Sequence, residues 1–347
     1  MRLLNKKIAI ATMIGQNQGN RLQNYALQNI LEQITGARVE TLRVAYGPRG
    51  FKRAAKKFLY RGFPSKRWAR FEEFDNKYIH YSKHSIIDPN LANVGYSLFV
   101  IGSDQVWNPT FEYTSEAEFL PLIPTRQKIS YAASFGVSKI EKCRTQIGSL
   151  LSGISKISVR EQAGVELVKE LAEKDSTLVL DPTMLLSVDT WWLIAKRPRI
   201  EIPKTGYILK YVLGENITDD VALSFAPDSE CSIIDLKDRS LPVGPAEFVW
   251  LISNAKFVCT DSFHASVFSI LFHTPFAIFD RISDNEDMSS RFDTLCDLFS
   301  LEGCRVQRRE KYKPSRINWA EVDSILVHAR DKSLQFLEVC LHDAGIL

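Results

Sequence analysis

Short β-rich runs alternate with helical stretches along nearly all of the 347 residues, in two series separated by a proline-bearing stretch. This alternation limits the fold more than any other feature. Strands joined through helices lie parallel, and parallel sheets are covered by helices on both faces. Strand candidates fall at 8–14, 38–44, 97–102, 128–134, 156–160 and 177–180, then at 207–213, 232–236, 256–260 and 275–279. Helices are predicted where apolar residues recur at helical spacing: Leu22, Tyr25, Ala26, Leu27, Ile30, Leu31 and Ile34, then 161–171, 245–255, 261–273 and 289–300. Between the series, 181–205 holds Pro182, Pro198 and Pro203 with the charged residues Lys196, Arg197, Arg199 and Glu201. The expected class is α/β, with two doubly wound Rossmann-like domains facing a cleft. The N-terminal domain covers 1–185, the C-terminal one 206–310, and a helix closes 311–347, where Asn318 and Glu321 fit a capping box. Ligands of such sheets bind beyond the carboxyl ends of the strands.

Hydrophobic residues at 45% and charged residues at 24% exclude a disordered or fibrous chain. The net charge of +3 hides an asymmetry: 48–71 carries nine basic residues and no acid, leaving 35 basic against 41 acidic elsewhere. Within it Phe51, Ala54, Ala55, Phe58 and Leu59 share one helical face, and Lys52, Arg53, Lys56 and Lys57 the other. Trp68, Phe71, Phe74 and Tyr78 continue the stripe, so 48–80 reads as an insert of the N-terminal domain. Such a helix either lies on an anionic membrane or packs on its own domain with a solvated basic face. Its aromatics follow helical spacing rather than a strand platform, which argues against nucleic acid. No apolar run approaches the roughly 18 to 20 residues that span a bilayer. Arg2, Lys6 and Lys7 imitate the start of a signal peptide, but no small-x-small site follows, and a first strand is expected instead. The six cysteines form no CxxC pair. A cytoplasmic protein, at most peripheral to the inner membrane face, is therefore expected.

Four segments put chemistry-bearing residues at strand ends. Gly15-Gln-Asn-Gln-Gly-Asn-Arg-Leu-Gln-Asn-Tyr25 is a polar crossover turn, in which Asn20 and Gln23 meet a ligand or the turn only caps the helix. Val100-Ile-Gly-Ser-Asp-Gln-Val-Trp-Asn-Pro109 ends a strand in small polar residues. Ser103 and Asp104 suit sugar hydroxyls or, equally, a helix N-cap. In Ile157-Ser-Val-Arg-Glu-Gln162, Arg160 is either a clamp for a carboxylate or phosphate or a surface ion-pair partner. In Lys256-Phe-Val-Cys-Thr-Asp-Ser-Phe-His264, a helix opens with Asp261, Ser262 and His264: an anion site with a proton donor, or a core histidine. His273 reads as structural. No DxD pair, Walker motif, GxSxG elbow or HExxH occurs, and neither metal nor cofactor is expected.

Taken in order, Gly19-Asn-Arg-Leu-Gln-Asn-Tyr-Ala-Leu-Gln28, Val100 to Pro109, Ile129-Ser-Tyr-Ala-Ala-Ser-Phe-Gly136, Ile157-Ser-Val-Arg-Glu161, Leu180-Asp-Pro-Thr183, and Thr260-Asp-Ser-Phe-His264 with Pro275-Phe276 resemble the polysaccharide pyruvyl transferase family. The resemblance implies a GT-B-like architecture and transfer of pyruvate from phosphoenolpyruvate to a galactose- or mannose-type sugar as a ketal, in capsule or exopolysaccharide synthesis. It places the family's arginine at Arg160 and its histidine at His264. Many members have Arg-Leu-His where this chain has Ser262-Phe263-His264. The expected roles are a proton from His264, a donor clamp at Arg160, and handling of the sugar hydroxyl by Asp104 or Asp181. Asn20, Arg21, Gln23, Ser103, Asp261, Ser262 and Phe263 complete the binding set, and Arg291 or Arg21 takes part of the missing arginine's role. A lipid-linked oligosaccharide acceptor at an anionic membrane would give the 48–71 segment a purpose. Two alternatives are a GT-B glycosyltransferase using a nucleotide sugar and a catalytically silent sugar-binding scaffold.

Overall fold

The computed structural model describes residues 6–15, 17–44, 66–111, 114–214, 217–227, 230–280, 289–306 and 316–347. The amphipathic helix expected at 50–60 lies outside them. Contacts divide the chain into two units, Met1–Phe63 with Asp75–Leu185 and Ala329–Leu347, and Pro64–Phe74 with Leu186–His328.

The first series of elements is β1 (Lys7–Ala11), α1 (Gln18–Thr35), β2 (Arg38–Arg43), α2 (Lys66–Tyr78), β3 (Tyr81–Ser85), β4 (Leu98–Ile101), β5 (Lys128–Ser130), α3 (Arg144–Ser152), β6 (Ser158–Val159), α4 (Gln162–Ala172) and β7 (Thr177–Leu178). The sheet order is β3-β2-β1-β4-β5, parallel throughout. Single bridges at Ile129/Lys156 and Ala133/Val159 carry the layer on to β6, which pairs with β7. β1 and β4 are apolar and almost wholly buried because helices cover both faces. β3 has no apolar run to announce it. It is an edge strand held by main-chain bonds such as Thr41 N to His80 O (2.8 Å) and Ile86 N to Arg43 O (3.0 Å).

The second series is α5 (Val188–Ile194), β8 (Tyr207–Tyr211), α6 (Asp219–Leu223), β9 (Ser232–Asp235), α7 (Pro245–Asn254), β10 (Phe257–Thr260), α8 (Phe263–Leu271), β11 (Phe276–Phe279), α9 (Ser290–Phe299), β12 (Arg305–Val306) and α10 (Trp319–Asp343). Its sheet order is β12-β11-β10-β8-β9, again parallel. Every position of β10 and β11 is buried. Pro245 opens α7, and Glu247 reaches back to accept from Gly244 N at 3.0 Å, a local start signal written in the sequence.

Two segments group differently from the expected domain limits. Residues 64–74, expected within the N-terminal insert, contact the second unit: Arg67 Nη2 donates to Leu236 O (2.7 Å), and a Cβ on Gly244 would lie 2.6 Å from Arg70 Cβ. The closing helix starts at Trp319, with Asn318 Nδ2 donating to Glu321 Oε2 at 3.2 Å. Its part from Ala329 onward groups with the first unit, where Leu180 N donates to Ser333 Oγ (2.9 Å). His273 pairs with Asp323 at 2.8 Å and stacks on Trp319. All six cysteines are free thiols, five of them buried. No described helix is long and apolar enough to cross a membrane.

Candidate functional site

The strand order of the first unit reverses between β1 and β4, and most side chains anticipated there converge. Gly102 N donates to Ala11 O (2.9 Å), which brings the two strand ends together. Gly102 has φ of 112° and a Cβ on it would lie 2.3 Å from Tyr131 O, so the close approach requires glycine. Thr12 Oγ1 donates to Ser103 O at 2.9 Å. Gln23 Nε2 donates to Thr12 Oγ1 (2.8 Å), and its Oε1 accepts from Ser103 N (3.2 Å) and Oγ (2.9 Å). Asn20 donates to Asp104 Oδ2. The chain of bonds continues from Asp104 Oδ1 to Arg160 Nη2 (3.1 Å), and from Arg160 Nη1 to Asp181 Oδ2 (2.8 Å). Asp181 Oδ1 in turn accepts from Thr183 N (3.0 Å) and Oγ1 (2.6 Å).

Several expectations are corrected by this geometry. No helix follows Asp104, whose φ is 74°; the segment turns instead, so Ser103 and Asp104 are not an N-cap. Asn17 caps α1, accepting from Gly19 N at 2.8 Å, which leaves Asn20 and Gln23 for the strand ends. Arg160 is 3% exposed, so the surface ion pair is ruled out. The donor clamp is not supported either, because two carboxylates already engage its fork. Burial opposes the charged guanidinium, but Asp104, Asp181 and Glu161 outweigh it and raise the Arg160 pKa. Arg21 turns to Asp75, with Nε to Oδ1 at 2.7 Å and Nη2 to Oδ2 at 3.0 Å, and to Gly15 O at 2.5 Å. It ties α1 to α2 and is poorly placed to replace a donor arginine.

Glu161 was not among the anticipated site residues. It is fully buried, and its Oε1 accepts from Ser134 Oγ (2.9 Å), Phe135 N (2.9 Å) and Gly136 N (3.2 Å). The Asp104 loop rests on that same turn: Ser134 N donates to Asp104 O (3.0 Å) and Trp107 N to Ser134 O (3.2 Å). Nothing in the spacing of Glu161 and Ser134 could have paired them.

In the second unit the reversal lies between β8 and β10. Asp261, the residue after β10, does not face its helix; its carboxylate accepts from Leu213 N (2.6 Å) and Gly214 N (2.7 Å) in the loop after β8. Ser262 occupies the N-cap of α8 without a side-chain cap bond. Phe263 and His264 form its first turn, the rings edge-on at 5.6 Å between centroids, and His264 is 6% exposed. Arg291, in the first turn of α9, sets its guanidinium carbon 5.9 Å from the centre of the Phe263 ring. The helix N-terminus, a buried histidine and a cation thus adjoin one aromatic ring, which suits an anion that must receive a proton. Among the described residues, no group of three or more His, Cys, Asp or Glu is placed to hold a metal ion.

A family model described as polysaccharide pyruvyl transferase matches residues 17–283. No curated protein matches the chain. Among solved structures, a protein described as a UDP-N-acetylglucosamine 2-epimerase from Listeria monocytogenes superposes with a TM-score of 0.54 at 10% identity, over 96% of this chain and 91% of that one. MnaA of S. aureus with UDP gives 0.47 at 11% identity, over 94% and 91% of the two chains. MurG of Acinetobacter baumannii gives 0.44 at 11%, over 96% and 98%. The first of these likenesses supports the fold alone, an α/β arrangement of two Rossmann-like domains of the GT-B kind.

Proposed function

Because the chain belongs to the polysaccharide pyruvyl transferase family, we propose that it moves the pyruvyl group of phosphoenolpyruvate onto a galactose- or mannose-type sugar of a glycan or lipid-linked saccharide, as a ketal with release of phosphate. The observation that carries this reading is the first turn of α8, where His264 and Arg291 adjoin Phe263 at a helix N-terminus. Phosphoenolpyruvate brings a carboxylate and a phosphate, both of which such a site favours.

Protonation of the methylene carbon by His264 makes the adjacent carbon oxocarbenium-like, and one sugar hydroxyl attacks it. The bond from that carbon to the phosphate oxygen breaks, phosphate leaves with the electron pair, and the second hydroxyl closes the ring. Two hydroxyl protons are lost; one balances the proton added to the methyl group and the other leaves with phosphate. Arg291 replaces Arg160 as the donor-binding arginine in this scheme. Asp104 accepts or orients the sugar hydroxyl, held in place by Asn20 and Arg160. Asn20, Gln23 and Ser103 line the same strand ends and suit a polyhydroxylated acceptor. No cofactor takes part. Lipid linkage of the acceptor rests on the basic 48–71 stretch of the sequence.

Thermal shift separates this reading from its rival. Stabilisation by phosphoenolpyruvate and not by nucleoside diphosphates supports pyruvyl transfer. The reverse pattern sinks it in favour of a nucleotide-sugar glycosyltransferase.

A further inference from the structure

The loops at the strand reversal of the second unit are laced together by side chains that the reaction above does not use. Asp261 holds Leu213 and Gly214 by their N–H groups, and from the other side Lys237, two residues past β9, donates its Nζ to Gly214 O at 2.9 Å. The main chain of Lys237 is braced in turn. Asp235 Oδ1 accepts from its N–H at 2.8 Å, and Arg67 Nη2 donates to the carbonyls on either side of it, Leu236 O at 2.7 Å and Asp238 O at 3.2 Å. The backbone is fixed while the ammonium sits over the loop after β8, linked through Gly214 to Asp261 and so to the start of α8. An ammonium has three donors, and Gly214 O takes one.

We propose that Lys237 is a donor-binding residue, taking the anionic group of phosphoenolpyruvate opposite the one held by Arg291. The proposal rests on the pyruvyl-transfer reading and deepens it. A donor with two anionic ends needs two cations, and the strand order supplies them from two directions. Arg291 follows β11, on one side of β10, whereas Lys237 follows β9, on the other. α8 opens directly after β10, between them. The acids along this path are already engaged: the Asp261 carboxylate accepts from two backbone N–H groups, and Asp235 pairs with Lys210 at 2.9 Å.

Isothermal titration of the full-length protein with phosphoenolpyruvate tests this. Lys237→Met is expected to weaken binding about tenfold or more, the loss typical of a charge-assisted hydrogen bond, at an unchanged melting temperature because the side chain is exposed. Lys237→Arg, which keeps the charge, is expected to bind within a few-fold of wild type. Wild-type affinity in Lys237→Met overturns the proposal and leaves pyruvyl transfer standing. Absence of phosphoenolpyruvate binding by the wild-type protein overturns both.

Discussion

The two units build the same parallel sheet and reverse strand order once, yet the carboxyl edges at the reversal gather different charged groups. In the first, Asp104, Asp181 and Glu161 surround the single guanidinium of Arg160. In the second, the Asp261 carboxylate is engaged by backbone N–H groups, and Arg291, Lys237 and the N-terminus of α8 supply positive potential. An acid-rich, internally bonded edge disfavours a doubly anionic ligand and suits hydroxyl groups; a cationic edge does the reverse. The fold decides where polar groups gather, and a handful of residues decides the sign.

Five substitutions test that contrast, and the largest effect is on turnover. His264→Gln is expected to lower kcat by about 10²- to 10⁴-fold, the usual worth of a general acid, with little change in melting temperature. Turnover within a few-fold of wild type would remove His264 from the mechanism. Arg160→Met should act the other way, on stability first. It strands two buried carboxylates, at a cost of about 3–5 kcal/mol read by calorimetry, and Arg291→Gln, which removes a cation beside the Phe263 ring, should cost less. Equal losses for the two arginines would erase the distinction between the edges.

Gly102→Ala forces a Cβ against Tyr131 O at a φ of 112°, and a loss of about 1–3 kcal/mol is expected in urea unfolding. An unchanged midpoint would mean that the β1–β4 ends need no such close approach. The smallest effect concerns Lys128, a buried cation of the first unit whose Nζ donates to Leu120 O at 2.9 Å. Burial pushes its pKa down to about 8 from the usual 10.5. Between those values the unfolded chain binds more protons than the folded one, so this lysine makes stability rise with pH across that window. Any stability advantage of Lys128→Met at pH 7 should therefore shrink as pH climbs above 8, in melting curves recorded from pH 7 to 10. A difference independent of pH contradicts the assignment.

Much of the fold was legible because parallel strands buried on both faces leave apolar runs that any reading finds, as at 98–101, 257–260 and 276–279. β3 escaped because an edge strand needs only main-chain partners, and Tyr81-Ser-Lys-His-Ser85 has no periodicity to betray it. The candidate site residues were legible as positions, at the ends of strands, but their partners were not. Arg160 looked like a free clamp because Asp181 lies 21 residues away and only the fold closes that distance. Lys237 was not singled out, although Lys237-Asp-Arg239 follows directly on the strand predicted at 232–236. Its signal was a basic residue in a tight Asp-rich turn at a carboxyl end, and the contact with Gly214 is what gives it direction.

The most direct measurement is mass spectrometry of galactosides and mannosides, free and lipid-linked, incubated with the protein and phosphoenolpyruvate, with phosphate counted in parallel. The expected result is an acceptor carrying a pyruvyl ketal, with one phosphate released for each ketal formed. Unmodified acceptors throughout, together with sugar transfer when nucleotide sugars are supplied instead, would contradict the account.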